Sequence, residues 1–522
     1  VLLEEPPEQE LGDFATNFAM QSARVFRQPP QKIAAAIRAH LAGDWLDRAE
    51  VAGPGFINLY LKKSVIADTL RAILAAGEGF GTLLPNGAPR IQVEYVSANP
   101  TGPLHVGHGR GAAVGSALVN LLRTAGYAVD SEYYVNDAGN QMNLLAVSVN
   151  ARYLELLGKE VEFPENGYHG ADIAETAQRI IDREGDRYLA LPEEERLQLF
   201  QDVAYREKLA ALEEDLADFG VTFDRWYSER TLHPDAVRRL VDTLLERGKA
   251  YEKDGAVWLR STDYGDDKDR VIFRDNGVPT YLAADIAYHD DKYERGYGRL
   301  INIWGADHHG YIIRIHSAMK FLGYNPEDFE IMLLQMVTLL RDGQPVKMSK
   351  RTGQAVTLRE LMDEVGSDAA RYFFCSRTLD SQMDFDIDLA KKQSSDNPVY
   401  YIQYANARIH SLFAQAKEAG VKWGDWEKTD FTKLIEECEL DLVKKMENYH
   451  MLIDGAATER APQRVAKYAY ELAGLFHHFY RECRILGVEE GVTQARLGLI
   501  TAVQHVLVHA LSILGVSAPE RM

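Results

Sequence analysis

At 522 residues the chain is longer than one hydrophobic core usually supports, so roughly two to four domains are expected. Hydrophobic residues at 46% and charged residues at 26% exclude a disordered or fibrous protein. The 58 Lys and Arg against 78 Asp and Glu give a formal charge of −20, which excludes a generic nucleic-acid coat protein. It leaves room for an RNA enzyme that gathers its cations on one face. The longest apolar runs, residues 331–334 and 497–511, are short or broken by Gln504, His505 and His509, so no bilayer-spanning segment is expected. The opening VLLEEPPEQE is acidic and lacks an initiating Met, unlike a signal peptide, and suggests that the extreme N-terminus is missing. Cys375, Cys438 and Cys483 have no CxxC spacing, which points away from a disulfide framework or a zinc site and toward a reducing cytoplasm.

In chain order, residues 12–41 read as helix interrupted at Pro29-Pro30. VAGPGFINLYL (residues 51–61) reads as a turn and a strand, and with residues 64–76 completes a small α+β domain, residues 1–78. IQVEYV (residues 91–96) has the pattern of a buried strand. It is followed by the turn SANPTGP, a helix-compatible run over residues 105–125 closed by Gly126, and a second strand YAVDSEYYV. This is a βαβ opening, and it predicts an α/β, doubly wound parallel-sheet (Rossmann-type) domain over residues 79–387. Residues 140–217 read as a helical insertion within it. Strand character returns at VWLR, VIFRD, INIW and EIMLLQMVTLL, where the sheet is expected to end before the loop RDGQPVKMSKRTGQ. Thr357 with Glu360 predicts a capped helix directly after that loop. Residues 388–522 are helix-patterned, with aromatic stripes at Tyr400, Tyr401, Tyr404 and at Tyr468, Phe476, Phe479, and predict an all-α bundle.

Two motifs carry chemistry. In SANPTGPLHVGHGR, His105 and His108 fall at i, i+3 on a beginning helix, whose N-terminus favours phosphate; Gly107 leaves room for a flat base against backbone. In the loop after the last strand, Lys347-Met348-Ser349-Lys350 offers two ammonium groups able to neutralise charge on a departing pyrophosphate. The plainer alternatives are helix-surface histidines and a solvated basic loop. Gly305 and Asp307 follow a strand of the sheet and would meet an ATP ribose. A metal site at Asp307, His308 and His309 is disfavoured, because metal phosphoesterases need further Asp clusters. His477 and His478 read as packing or surface residues.

With these motifs in this order the chain resembles the class I aminoacyl-tRNA synthetases, whose signatures are H-x-G-H and K-M-S-K. Along nearly its whole length it is similar to the arginyl-tRNA synthetase family, through GDFATNFAM, VEYVSANPTGPLHVGHGR, YYVNDAGNQM, YLAADIAYH, WGADHHGY, VKMSKRTG, GSDAARYFF and NPVYYIQYANARI. The resemblance implies activation of L-arginine with ATP and Mg2+, then transfer to the 3′ end of tRNA(Arg), by a cytoplasmic monomer with no protein-bound zinc and no membrane partner. It assigns catalysis to His105, His108, Lys347 and Lys350, and ATP binding to Gly107, Gly305, Asp307, Met348 and Ser349. Arginine would be held by Glu94, Ser97, Asn99, Tyr281, Asp285 and His308, the last standing where some relatives have a Gln-type residue. Paired carboxylates suit a planar guanidinium, which needs adjacent acceptors. Read without the resemblance, Glu94 is a strand-end charge, Asp285 a helix cap and Tyr281 a core residue. The helical domain would read the anticodon, with Tyr404, Asn406, Arg408 and Met522 the first candidates, and the N-terminal domain would touch the tRNA elbow. The alternatives are a cysteine-specific class I ligase, a nucleotidylyltransferase, and an inactive RNA-binding relative.

Overall fold

The computed structural model describes residues 3, 4, 6, 11–346 and 355–522. The N-terminal module runs β1 (Phe14–Thr16), α1 (Phe18–Phe26), α2 (Pro30–His40), β2 (Leu46–Ala52) and β3 (Phe56–Leu61), with an antiparallel sheet in the order β1-β3-β2. Pro30 sits at the first turn of α2, where its missing N–H costs nothing, so the proline pair starts a helix as well as ending one. Residues 14–16, expected as helix, are a strand because pairing with β3 (Phe14 opposite Leu59) outweighs local propensity. Ala19, Ile33, Ala34, Ile57 and Leu59 form the module's own small core. Helix α3 (Lys63–Ala76) instead buries Leu70 and Ile73 in the main core of the molecule.

The second part continues β4 (Ile91–Glu94), α4 (Val106–Thr124), β5 (Val129–Val135), α5 (Asn140–Leu156), α6 (Ala171–Glu184), α7 (Glu193–Asp218), β6 (Arg225–Ser228) and α8 (Asp235–Glu246). Then come β7 (Ala250–Lys253), β8 (Ala256–Leu259), β9 (Arg270–Phe273), α9 (Tyr281–Glu294), β10 (Arg299–Gly305), α10 (Ile312–Leu322) and β11 (Phe329–Leu334). Strands β11-β10-β4-β5-β6, in that order, make one parallel sheet. From β4 the chain winds outward to β6, then returns to β10 on the other side of β4. The winding therefore reverses between β4 and β10, and the crevice beyond their carboxyl ends is where such sheets bind ligands.

Two strand assignments differ from the sequence expectation. VWLR and VIFRD belong to a separate antiparallel sheet, β7-β8-β9. Asp254 and Gly255, with φ of 51° and 78°, close a tight hairpin between β7 and β8, a connection that cannot lead into a parallel sheet. The run EIMLLQMVTLL is two strands, because the chain leaves the parallel sheet at Gln335-Met336 and enters β12 (Val337–Arg341), which pairs with β13 (Gln344–Val346) and later β14 (Met383–Asp386). The buried Arg110 holds this break, donating to the carbonyls of Gln335 (2.9 Å), Ser381 (3.0 Å) and Thr378 (2.7 Å). Between β13 and β14 lie α11 (Leu358–Val365) and α12 (Ser367–Cys375), and α13 (Ile387–Ala390) follows β14.

The bundle comprises α14 (Pro398–Glu418), α15 (Glu437–Glu447), α16 (Tyr449–Thr458), α17 (Pro462–Glu482) and α18 (Glu490–Leu514). Contrary to the reading of residues 497–511 as too broken, α18 is long and apolar enough by composition to cross a bilayer. Yet 72% of its most apolar window is buried, packed on α17, α3, α4 and α14. Its apolar surface is thus already covered by protein.

Candidate active site

Helix α4 begins one short loop after β4, and its N-cap is His105. His105 Nδ1 accepts from the backbone N–H groups of Gly107 (3.1 Å) and His108 (3.4 Å), while His108 Nδ1 accepts from the N–H of His105 (3.2 Å). The two imidazoles therefore form a capping box, with rings stacked at 3.6 Å. Because both Nδ1 atoms are acceptors, the neutral rings carry hydrogen on Nε2, leaving two parallel donors beyond the helix N-terminus. Burial lowers the pKa of both, and with the neighbouring His105 it takes His108 down to about 3, so both act as neutral donors at neutral pH. Gly107 is required for a further reason: a Cβ there would lie 2.9 Å from the His105 ring.

His105 and Gly107 line a cleft of about 430 Å³ together with Val106, Met336, Val346 and Val356, among others. Met336 is 75% exposed there, where the chain passes from β11 to β12; sequence reading missed it because it lies inside an apparently continuous strand. Lys347, Met348, Ser349 and Lys350 lie outside the described residues. Both flanks of their segment reach this cleft, Pro345 and Val346 before it and Ala355 and Val356 after it. Val106 N–H donates to Val356 O (3.2 Å) and Leu358 N–H to Leu104 O (2.7 Å), and Thr357 with Glu360 caps α11 as expected. The start of α4 is therefore tied through backbone to residues 356–358.

The second half of the site is acidic. Glu94 ends β4, only 6% exposed, with Oε1 accepting from Ser97 Oγ (3.0 Å) and Oε2 from Lys292 Nζ (2.6 Å). Ser97 also accepts from Tyr134 N–H (3.1 Å), and both Val96 (φ 68°) and Ser97 (φ 42°) sit in the left-handed region, a strain stored at the strand end. Tyr281 and Asp285 lie at i, i+4 on α9, Tyr281 56% exposed and Asp285 half-buried. Burial first, then the charges of Glu94 and Glu229, push the Asp285 carboxyl up to about 7, against a hydrogen bond from Tyr311 and the charge of Lys292. The Tyr134 phenol is raised by burial, then by Glu229 and Asp285. Glu94, Asp285 and Glu229 thus converge on one space at the carboxyl ends of β4, β5 and β6. Sequence reading found the first two and missed Glu229, which stands among charged residues in YSERTLH.

Asn99 is exposed in the β4–α4 loop. Gly305 ends β10, and a Cβ there would meet Asp307 Oδ1 at 2.5 Å. Asp307 and His308 are exposed just after β10, 3.7 Å apart. In the bundle, Tyr404 is exposed and stacks on Tyr400, while Arg408 lies 4.6 Å over the Tyr404 ring and 4.3 Å over that of Tyr480. Asn406 is 1% exposed, and its amide donates to the carbonyls of Ala518 and Pro519, both at 3.0 Å. It therefore ties down the tail that carries the exposed Met522. His477 packs against the Tyr401 carbonyl (3.0 Å).

Residues 69–382 match the family described as tRNA synthetases class I (R), catalytic domain. Residues 402–522 match the DALR anticodon binding domain and residues 1–61 the arginyl tRNA synthetase N-terminal domain. With the parallel sheet and its histidine-capped helix, these matches define a class I aminoacyl-tRNA synthetase, an aminoacyl-tRNA ligase that uses ATP. Arginine–tRNA ligases of Carboxydothermus hydrogenoformans and Syntrophotalea carbinolica are 52% and 51% identical to the chain, covering 100% of it and 94% of each relative. A Campylobacter jejuni structure titled as an arginyl-tRNA synthetase superposes with a TM-score of 0.83 at 40% identity, covering 88% of this chain and 100% of that one. The Thermus thermophilus arginyl-tRNA synthetase shares the fold, with a TM-score of 0.78 at 22% identity over 100% of this chain and 96% of its own. The chain belongs to the arginyl-tRNA synthetase family.

Proposed function

We propose that the chain activates L-arginine with Mg·ATP and transfers it to the 3′ end of tRNA(Arg), as a cytoplasmic monomer that works away from membranes. The observation that carries this reading is the mutual influence of three carboxylates, Glu94, Asp285 and Glu229, in a chain whose helix α4 also opens on two imidazoles. A guanidinium has five donors in one plane, and a carboxylate cluster in a half-dry crevice rewards that shape and charge. Tyr281, one turn before Asp285, supplies a phenol at the mouth, and Ser97 orients Glu94; Asn99 and His308 would take the amino acid's polar end.

In the first step a carboxylate oxygen of arginine attacks the α-phosphorus, the bond to the bridging oxygen breaks, and pyrophosphate leaves with Mg2+. His105 and His108 donate to the transferring phosphate, Gly107 lets the nucleotide approach backbone, and Gly305 and Asp307 meet its ribose. Lys347 and Lys350, with Met348 and Ser349 between them, would supply the cations for the pyrophosphate; the residues that follow them, Val356 and Leu358, are bonded to the chain at the start of α4. In the second step a ribose hydroxyl of the tRNA attacks the adenylate carbonyl and AMP leaves. Positioning and charge stabilisation suffice for both steps. The exposed Tyr404, Arg408 and Met522 would stack on and contact unpaired tRNA bases, with Asn406 fixing the tail.

ATP–pyrophosphate exchange with a panel of amino acids, in the presence of tRNA, tests the reading. Exchange with arginine alone, dependent on tRNA, is expected; exchange with cysteine and not arginine would reject it.

A further inference from the structure

The buried ammonium of Lys292 belongs to no sequence motif that pointed to chemistry, yet it touches the pocket's central carboxylate. Lys292 is 0% exposed on α9, with Nζ 2.6 Å from Glu94 Oε2, 3.1 Å from Asn302 Oδ1, and 4.3 Å over the Tyr288 ring. Asn302 Nδ2 donates to His289 Nε2 (2.8 Å), and His289 Nδ1 donates to the Asp285 carbonyl (2.7 Å). One chain of hydrogen bonds therefore runs from the Glu94 carboxylate through the ammonium, an amide and an imidazole to the backbone that carries Asp285. Burying a lysine among the apolar side chains between α9 and the sheet is costly, and an apolar residue of similar volume would pack there more cheaply.

We infer that Lys292 is a positioning residue for arginine: it holds Glu94 by one oxygen, points the other at the pocket, and supplies a buried positive charge beside the carboxylate cluster before substrate arrives. This rests on the proposed recognition of arginine by that cluster. With Oε2 taken by Lys292, the guanidinium meets Glu94 through Oε1, and Asp285, which accepts from Tyr311 through one lone pair, keeps others on its two oxygens for two N–H groups side by side. The groups that face Asp285 are Glu94 from β4, Tyr134 from β5, Glu229 after β6, Tyr311 after β10, and Lys292 on its own helix. Removing the ammonium leaves the two negative neighbours opposed by the Tyr311 hydrogen bond, so Asp285 takes up a proton at higher pH and stops accepting.

The test is steady-state aminoacylation by the full-length enzyme and its Lys292→Met variant from pH 6 to 9, varying arginine, ATP and tRNA in turn. The expected result is an arginine KM raised at least tenfold, ATP and tRNA KM values within twofold of the parent, and an acid limb of kcat/KM for arginine moved to higher pH. Equal changes in all three KM values, or an unmoved limb, would overturn the inference. Should Lys292→Met not fold, Asn302→Ser loosens the same ammonium without deleting it. A smaller change confined to the arginine KM then supports the role, and a uniform or absent change refutes it. A parent enzyme that shows no dependence on arginine would sink the functional reading and this inference together, whereas a normal parent with a normal variant sinks the inference alone.

Discussion

Two titratable groups in the site are set by their surroundings in opposite ways. His108 stays neutral well below physiological pH, so it works as a hydrogen-bond donor and adds no acid limb to adenylate formation between pH 5 and 8. Replacing it, His108→Ala, removes one fixed donor, and a fall of about 10²–10³ in kcat for pyrophosphate exchange is expected with little change in arginine KM. Asp285, pushed up from an ordinary 3.8 to about 7, must be ionised to accept a guanidinium. Arginine binding should therefore weaken as pH falls through 7 and release protons near pH 6.5, which calorimetry in buffers of different ionisation enthalpy measures. The folded carboxyl holds its proton more tightly than the unfolded one, so stability is lost as pH rises from about 4 to 7. Asp285→Asn removes that loss: at pH 8 the variant should melt no lower than the parent while its arginine KM rises about 100-fold, since the amide no longer pairs with a charge. An equal fall in both properties would contradict this. Glu94 and Asp285 were readable in sequence only through the family motifs, and Lys292 and Glu229 were not. A Lys in YHDDKYERG looks like one more solvated charge, although Tyr281, Asp285, Tyr288 and Lys292 recur at i, i+4, i+7 and i+11, a one-sided spacing that could have flagged the polar face.

At the level of elements, the strand–turn–helix of residues 91–124 was legible because an apolar strand, a turn and a helix period follow one another without competition. Its tight packing was not. Gly115 faces Tyr95 so closely that a Cβ would stand 2.3 Å from the ring, and glycine there lets α4 lie against the strand that ends in Glu94. Gly115→Val should destabilise by about 1–3 kcal/mol or more, read by urea titration, and should raise arginine KM by displacing Glu94. The helices of the insertion, residues 140–217, were legible from their Leu- and Glu-rich period, and the capped start of α11 from Thr357 and Glu360. The small sheet β7-β8-β9 was not, because alternation marks a strand but says nothing about its partners; only the Asp254-Gly255 turn carried that information. The break at Gln335-Met336 escaped because it is held from outside the segment, by the guanidinium of Arg110.

At the scale of the whole molecule, the bundle and the catalytic part share one core. Arg371 on α12 is buried with its guanidinium donating to the Leu514 carbonyl at the end of α18 (3.0 Å), to Phe219 O (3.0 Å) and to Ser116 Oγ on α4 (2.8 Å). It also fills the place where a side chain on Gly515 would stand. Arg371→Met strands those acceptors, and a loss of about 3 kcal/mol is expected, with faster amide exchange at the end of α18 as its signature. Composition announced several domains and the motifs announced the catalytic one, but a shared core depends on contacts between residues hundreds of positions apart, which no local pattern encodes. The claim on which all scales converge is that the acidic pocket at the carboxyl ends of β4, β5 and β6 receives a guanidinium. A crystal structure of the enzyme with arginine and an unreactive ATP analogue tests it most directly. The guanidinium is expected within about 3 Å of Glu94 Oε1 and of both Asp285 oxygens, with the substrate carboxylate toward His105 and His108. Arginine seated with its guanidinium away from Glu94 and Asp285 would contradict it.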